Sequence, residues 1–173
     1  MKKVERYSEF YQKITAAIRP HPRLVKAIVW LDKGLVYGFV AAYAVYLGFT
    51  LFSVPFDLLL WANKMGLPAL CFAAVSLLRI LIKRPRPYEK AGAGIDAINQ
   101  KGSVGNSMPS RHVASAFVIA MVFLAESTLF GVLALCASCL VAILRTVEGV
   151  HYPSDVLVGA ILGVSFGAVG LLF

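Results

Sequence analysis

The sequence predicts an all-α integral-membrane protein, a bundle of about five transmembrane helices preceded by an N-terminal amphipathic helix. Three observations point there. Of the 173 residues 59% are hydrophobic and 15% charged, too apolar for a soluble globule. Uncharged apolar runs recur at lengths close to the ~20 residues that a helix needs to cross a bilayer. The charges fall largely at the ends of those runs. The length fits one domain, so residues 1–173 read as a single membrane-embedded unit whose residues 1–33 form an interfacial segment.

The elements follow in order. Residues 1–19 place Val4, Tyr7, Tyr11, Ile14 and Ile18 at spacings of three and four, among Lys2, Lys3, Arg6, Lys13 and Arg19. That pattern predicts an amphipathic helix, lying on the membrane surface or packed against the bundle. Pro20-His21-Pro22 breaks it. Gly34 to Val54 is uncharged over 21 residues, the clearest span. Pro55 to Lys64, with Asp57, Trp61 and Asn63, reads as interfacial. Met65 to Ile82 is the second span; its one charge, Arg79, lies a turn from the end, where an arginine can snorkel to headgroups. Tyr88 to Met108 is a long loop with Gly92, Gly94, Gly102 and Gly105. Pro109 to Ala125 is a short third span, and Glu126-Ser127-Thr128 makes a tight return. Ser127 to Leu144 and Val156 to Phe173 are the fourth and fifth spans. Gly159, Gly163 and Gly167 recur every four residues, a smooth face for packing inside the bundle or for a homodimer.

Lys and Arg number 17 against 9 acids, a formal charge of +8. In a chain of this apolarity such an excess points to anionic lipid rather than nucleic acid. The first 33 residues lack the compact apolar core of a signal peptide. Cys71, Cys136 and Cys139 all lie in apolar runs; Cys136 and Cys139 form a CxxC, but with no His or second CxxC beside it, and all three read as small buried packing residues.

The polar residues carry the functional signal. Arg145 to Asp155 joins two apolar runs and holds an Arg, a His and an Asp, which are costly at the mouth of an apolar bundle unless they have partners or work to do. Counting crossings puts this stretch on the same membrane side as Arg79, Arg86 and the Ser110 region. Arg, His, Ser and Asp converging without paired carboxylates or cysteine clusters suit an anion site that needs no metal or other cofactor. Ser110-Arg111-His112 follows Pro109 at a helix start, where free N–H groups favour phosphate and Ser110 can cap the helix or donate to the ligand.

At these residues the chain resembles the type 2 phosphatidic acid phosphatase family, which shares its site with the vanadium haloperoxidases. The family pattern is a Lys, six residues and Arg-Pro; then Pro-Ser-Gly-His; then Ser-Arg, five residues, His, three residues and Asp. This sequence has Arg79, six residues and Arg86-Pro87; Pro109-Ser110-Arg111-His112; and Leu144-Arg145, His151 and Asp155 at the family spacing. It departs with Arg79 for Lys, Arg111 for Gly and Leu144 for Ser. The frame ending at Arg84-Pro85 fails, because Leu77 would hold the basic position. The resemblance covers residues 79–159.

What the resemblance implies is metal-independent phosphoryl transfer by a membrane hydrolase of lipid metabolism. His151 would attack phosphorus to form a phosphohistidine, Asp155 would orient its ring, and His112 would protonate the leaving oxygen and then activate water. Arg79, Arg86, Ser110 and Arg145 would hold phosphate oxygens. Arg111 reads either as a contact to a second phosphate or headgroup or as an outward-facing helix residue.

Eight basic residues precede the first span and share the site's side, whereas the opposite side shows Lys64 against Asp57 and Glu126. The positive-inside rule therefore places the site of this cell-membrane protein at the cytosolic face. The expected substrate is a lipid phosphate or diphosphate, such as phosphatidic acid, phosphatidylglycerol phosphate or a polyprenyl diphosphate. A non-catalytic lipid-phosphate-binding membrane protein is the alternative from another class, and a vanadate-dependent oxidase a third.

Overall fold

The structure is a computed structural model that describes residues 2–89, 95–99 and 105–172. Gly92, Gly94 and Gly102 of the long loop lie outside the described residues, as do the side chains of Lys2, Lys3, Val4, Arg6 and Tyr7. The described residues form helices, turns and loops and no strand. The helices are α1 (Lys2–Ile18), α2 (Pro22–Ser53), α3 (Leu58–Trp61), α4 (Leu67–Ile82), α5 (Arg111–Glu126), α6 (Thr128–Val147) and α7 (Pro153–Gly170).

Every boundary has a local cause. Pro22 opens α2 at a position where its missing N–H costs nothing. The helix runs for 32 residues, so 22–33 extend the first span instead of preceding it and add no crossing. Asp57 starts α3, with its Oδ1 accepting the N–H of Leu60 at 2.9 Å. A π-helical turn at Ala62–Gly66 carries the chain into α4. Lys83 stops α4 in the left-handed region (φ 48°), which satisfies a terminal carbonyl of that helix. One residue, Ser127, separates α5 from α6.

The helix expected as a short third span is the centre of the molecule. At 16 residues α5 is about 24 Å long, short of the ~30 Å hydrocarbon core. Val113, Ala114 and the run Ala116 to Val122 are all buried, against Cys71 and Val75 of α4, Val141 of α6 and Val156 of α7. Four other helical stretches, Pro22–Ser53, Leu58–Glu89, Thr128–Val147 and Pro153–Gly170, are long and apolar enough to cross a membrane. Their outer faces expose Trp30, Tyr37, Phe49, Phe52, Leu58, Leu133 and Leu157, as lipid-facing surfaces do. Cys136 and Cys139 lie on such a face of α6. They are exposed rather than buried, because α6 turns only one side inward, and Cys71 alone of the three is a core residue.

The glycines at four-residue spacing are spent within the chain. A Cβ on Gly159 would sit 2.7 Å from the carbonyl oxygen of Ser110, on Gly163 2.5 Å from that of Ala114, and on Gly167 2.3 Å from Cβ of Met121. These three residues let α7 lie close against α5 within one chain.

The N-terminal helix takes the packed alternative on one side. Tyr11 and Thr15 are buried while Phe10 and Lys13 face outward. Tyr11 lies against Gly149 (φ +77°), where a Cβ would meet its hydroxyl at 2.3 Å. Arg19 pairs with Asp96 at 2.6 Å, so α1 also clasps the long loop. At the opposite end Lys64 pairs with Glu126 and hydrogen-bonds the Tyr46 hydroxyl. A cavity of about 460 Å³ opens beside that pair between α4, α5 and α7.

Candidate active site

Three segments remote in sequence meet at the end of the bundle where α4 and α6 finish and α5 and α7 begin. Backbone bonds tie them. The N–H of Ser110 donates to the carbonyl of Asp155 at 3.0 Å, and that of Ser107 to the carbonyl of Arg84 at 2.8 Å. Glu89 clamps the loop between them, accepting the N–H of Gly105 at 2.8 Å and that of Arg86 at 2.9 Å.

Asp155 is the hub. It stands in the first turn of α7, where the helix dipole favours a carboxylate, and is 0% exposed. Oδ2 accepts the N–H of Tyr152 at 3.0 Å and the hydroxyl of Ser107. Oδ1 receives Nη1 of Arg84 at 2.6 Å. Nδ1 of His151 lies 3.7 Å from Oδ2, close enough for ionic contact though long for a hydrogen bond, and 3.5 Å from Oγ of Ser107. The ring therefore turns Nδ1 toward the carboxylate and its other nitrogen, Nε2, away from it.

His151 sits in the α6–α7 connection and is 3% exposed. Burial pulls its pKa below the ordinary value; the Asp155 carboxylate opposes this, and the cations Arg86 and Arg79 add to it. The imidazole is thereby held neutral near pH 7, with a lone pair available.

The basic residues divide by partner. Arg79 is buried instead of reaching for headgroups, and its Nη1 donates to the carbonyl of Pro109 at 2.9 Å. Arg86 is buried, with Nε lacking a hydrogen-bond partner. Arg145 is buried in an ion pair with Asp32 of α2, Nη2 to Oδ2 2.9 Å. Arg111 is exposed and lies over the ring of Phe72 at 5.7 Å, the outward-facing alternative. Ser110 stands at the N-cap of α5, but its side chain makes no capping bond. The hydroxyl is fully buried without a hydrogen-bond partner. His112 is half-buried in the first turn of α5.

Four residues here escaped the sequence reading. Arg84, out of frame with the motif, spans Asp155 and Ser154 (2.8 Å) and stacks on Tyr152 at 4.1 Å. The repeat Arg84-Pro85-Arg86-Pro87 offered two arginines and only one was used. Ser107 had its place just ahead of Pro109-Ser110 as a signal, and Asp32 its position as a lone acid ahead of a long uncharged run. Nothing in the sequence marked Glu89. Among the described residues no group of three His, Cys, Asp or Glu side chains comes together.

The family model of the PAP2 superfamily matches residues 58–173. Among solved structures the chain is similar to Aquifex aeolicus LpxE, at 24% identity over 95% of this chain and 94% of that one, with a TM-score of 0.61. It is also similar to the first transmembrane PAP2 type phosphatidylglycerolphosphate phosphatase from Bacillus subtilis, at 23% identity over 98% of this chain and 94% of that one, TM-score 0.54. At these identities the two structures speak to fold. No curated protein matches the sequence. The family match takes in α3 to α7 and every residue around Asp155, and it leaves out α1 and α2.

Proposed function

The chain belongs to the PAP2 superfamily and is a membrane protein, and we propose that it is a lipid phosphatase acting through a phosphohistidine. One observation carries this reading: a neutral, buried His151 with Nδ1 turned to Asp155, beside donors that lack partners. Burying a hydroxyl or guanidinium N–H unpaired is costly, so Oγ of Ser110 and Nε of Arg86 are groups for which a ligand oxygen would be the natural partner.

In this mechanism Nε2 of His151 attacks phosphorus in line as the bond to the lipid oxygen breaks. His112 gives that oxygen its proton. Arg79, Arg86, Arg145 and Ser110 hold the equatorial oxygens, and the arginines supply fixed positive charge in place of a metal ion. Asp155 stabilises the ring as it becomes positive. His112 then takes a proton from water, which attacks phosphorus and frees His151. Inorganic phosphate leaves, with a lipid alcohol from a monoester or a lipid monophosphate from a diphosphate.

The substrate class is a lipid phosphomonoester or diphosphate. Its head reaches the site from the interface while its tail stays in the bilayer, since the site lies where the apolar helices end. The eight basic residues ahead of Gly34 support a cytosolic orientation of this face, which would favour phosphatidic acid or phosphatidylglycerol phosphate over a polyprenyl diphosphate.

The test is phosphate release by detergent-purified protein from those three lipids, in EDTA, with His151→Ala in parallel. Turnover that survives EDTA and vanishes in the variant supports the reading and ranks the substrates. Folded protein that releases nothing, or a variant as active as the parent, overturns it in favour of a lipid-phosphate-binding protein.

A further inference from the structure

Asp32 is the single acidic residue of α2 and lies outside the stretch that the family model matches. It is 1% exposed, its partner Arg145 is 3% exposed, and 2.9 Å separates Oδ2 from Nη2. A buried ion pair is weak evidence for stability, since an apolar pair of similar volume often holds two helices as well. A carboxylate adds direction. The guanidinium is a rigid planar fork, so anchoring Nη2 fixes where its other N–H groups point. Nε of Arg145 is buried and has no hydrogen-bond partner.

The attachment of α2 sharpens the point. Among its described residues only Asp32, Phe39 and Thr50 are buried. From Gly34 to Phe49 an apolar groove of about 740 Å³ runs along one side of it, lined also by α5 and α6. Phe39 packs into the core midway along α2, the Tyr43 hydroxyl donates to the Lys64 carbonyl at 2.6 Å, and the ion pair holds the end of the helix where the site lies.

We propose that Asp32 is a positioning residue that aims the guanidinium of Arg145 at the phosphoryl group in transfer. The inference rests on the reading that Arg145 holds a phosphate oxygen. Paired with Asp32, Arg145 contributes geometry more than net charge. Neutralising Asp32 makes the site more positive and less ordered at once. Ground-state attraction for an anion is then kept or strengthened, while stabilisation specific to the transition state is lost.

The experiment measures kcat and KM on phosphatidic acid, and inhibition by inorganic phosphate, for Asp32→Asn, Asp32→Glu and Arg145→Gln. Each protein is first checked for folding by size exclusion and thermal melting. Misplacing a reacting-site group by about an ångström costs on the order of a hundred-fold, so kcat of Asp32→Asn should fall ~10- to 100-fold. KM should not rise, and phosphate should inhibit at least as well. Asp32→Glu, with the charge kept on an arm one methylene longer, should lie between Asp32→Asn and the parent. A merely structural residue would lower the yield of folded enzyme and leave kcat per folded molecule intact, which overturns the proposal. So does a raised KM at unchanged kcat. Should Asp32→Asn not fold, Asp32→Glu decides alone: a lowered kcat supports the proposal and a parental kcat sinks it. Arg145→Gln separates the two layers. If it retains full kcat, the phosphate role of Arg145 is wrong; if it is impaired while folded Asp32 variants are normal, only the inference about Asp32 is.

Discussion

Nη1 of Arg84 lies 2.6 Å from Oδ1 of Asp155, the carboxylate whose other oxygen faces His151. In the proposed mechanism Arg84 therefore supports His151 rather than the phosphate cradle, although only Pro85 separates it from Arg86. The first prediction follows. Arg84→Gln should lower kcat with little change in KM, because it loosens the group that orients His151 and touches no substrate oxygen. Loss of ~1.4 kcal/mol of that charge-assisted support corresponds to a ten-fold fall. Steady-state kinetics on phosphatidic acid check it; a rise in KM without loss of kcat would move Arg84 into the cradle.

The pH profile tests His151. Nucleophilic attack needs the neutral imidazole, and burial has pulled its pKa below the ordinary value of 6.5. The rate should therefore hold steady as pH falls to 6.5 and drop only when pH passes below the lowered pKa. The Asp155 carboxylate raises that pKa against burial. Asp155→Asn should thus shift the acid limb to still lower pH, while the plateau drops as ring orientation is lost. The measurement is log kcat/KM against pH, with the ionisation of the substrate near pH 6 subtracted. An acid limb above 6.5 would contradict the assignment.

How much of this was legible in the sequence differs from one residue to the next. Apolar runs and the charges between them foretold the helices, because in lipid a chain satisfies its backbone only within helices. The three polar clusters came together because crossing parity is countable. Arg84 was lost because Arg84-Pro85-Arg86-Pro87 offers two arginines and only the turn after α4 decides which one meets Asp155. Asp32 was lost because an acid ahead of a span looks interfacial until its partner, 113 positions on, is placed beside it. The outward turn of Cys136 and Cys139 was hidden for a related reason: a helix between lipid and protein is apolar on both sides, so periodicity does not tell which side is inside.

The glycines give a stability prediction with an internal control. A Cβ at position 163 would press on the carbonyl of Ala114 at 2.5 Å and on Cβ of Phe117 at 2.7 Å, whereas one at position 38 meets nothing within 4 Å. Gly163→Ala should destabilise by about 1–3 kcal/mol through overpacking. Gly38→Ala should be neutral or stabilise by up to ~1 kcal/mol, since it removes helix-opposing backbone freedom at no steric cost. Thermal melts in one detergent compare them. Equal melting temperatures would mean that α5 and α7 are not held as closely as their backbones lie here.

Sidedness gives the last prediction. The start of α2 is on the site's side, because Asp32 reaches Arg145 at the end of α6. Its far end is on the other side, where the Tyr43 hydroxyl donates to the Lys64 carbonyl at 2.6 Å and Lys64 pairs with Glu126. Lys26 and the exposed Phe56 therefore mark opposite faces. With Cys71, Cys136 and Cys139 replaced by alanine, Phe56→Cys should react with a membrane-impermeant thiol reagent in intact cells, and Lys26→Cys only after permeabilisation. The eight basic residues ahead of Gly34 give the reason, since positive loops are retained in the cytosol. The reverse pattern would put His151 outside the cell and make lipids of the outer leaflet the substrates to test first.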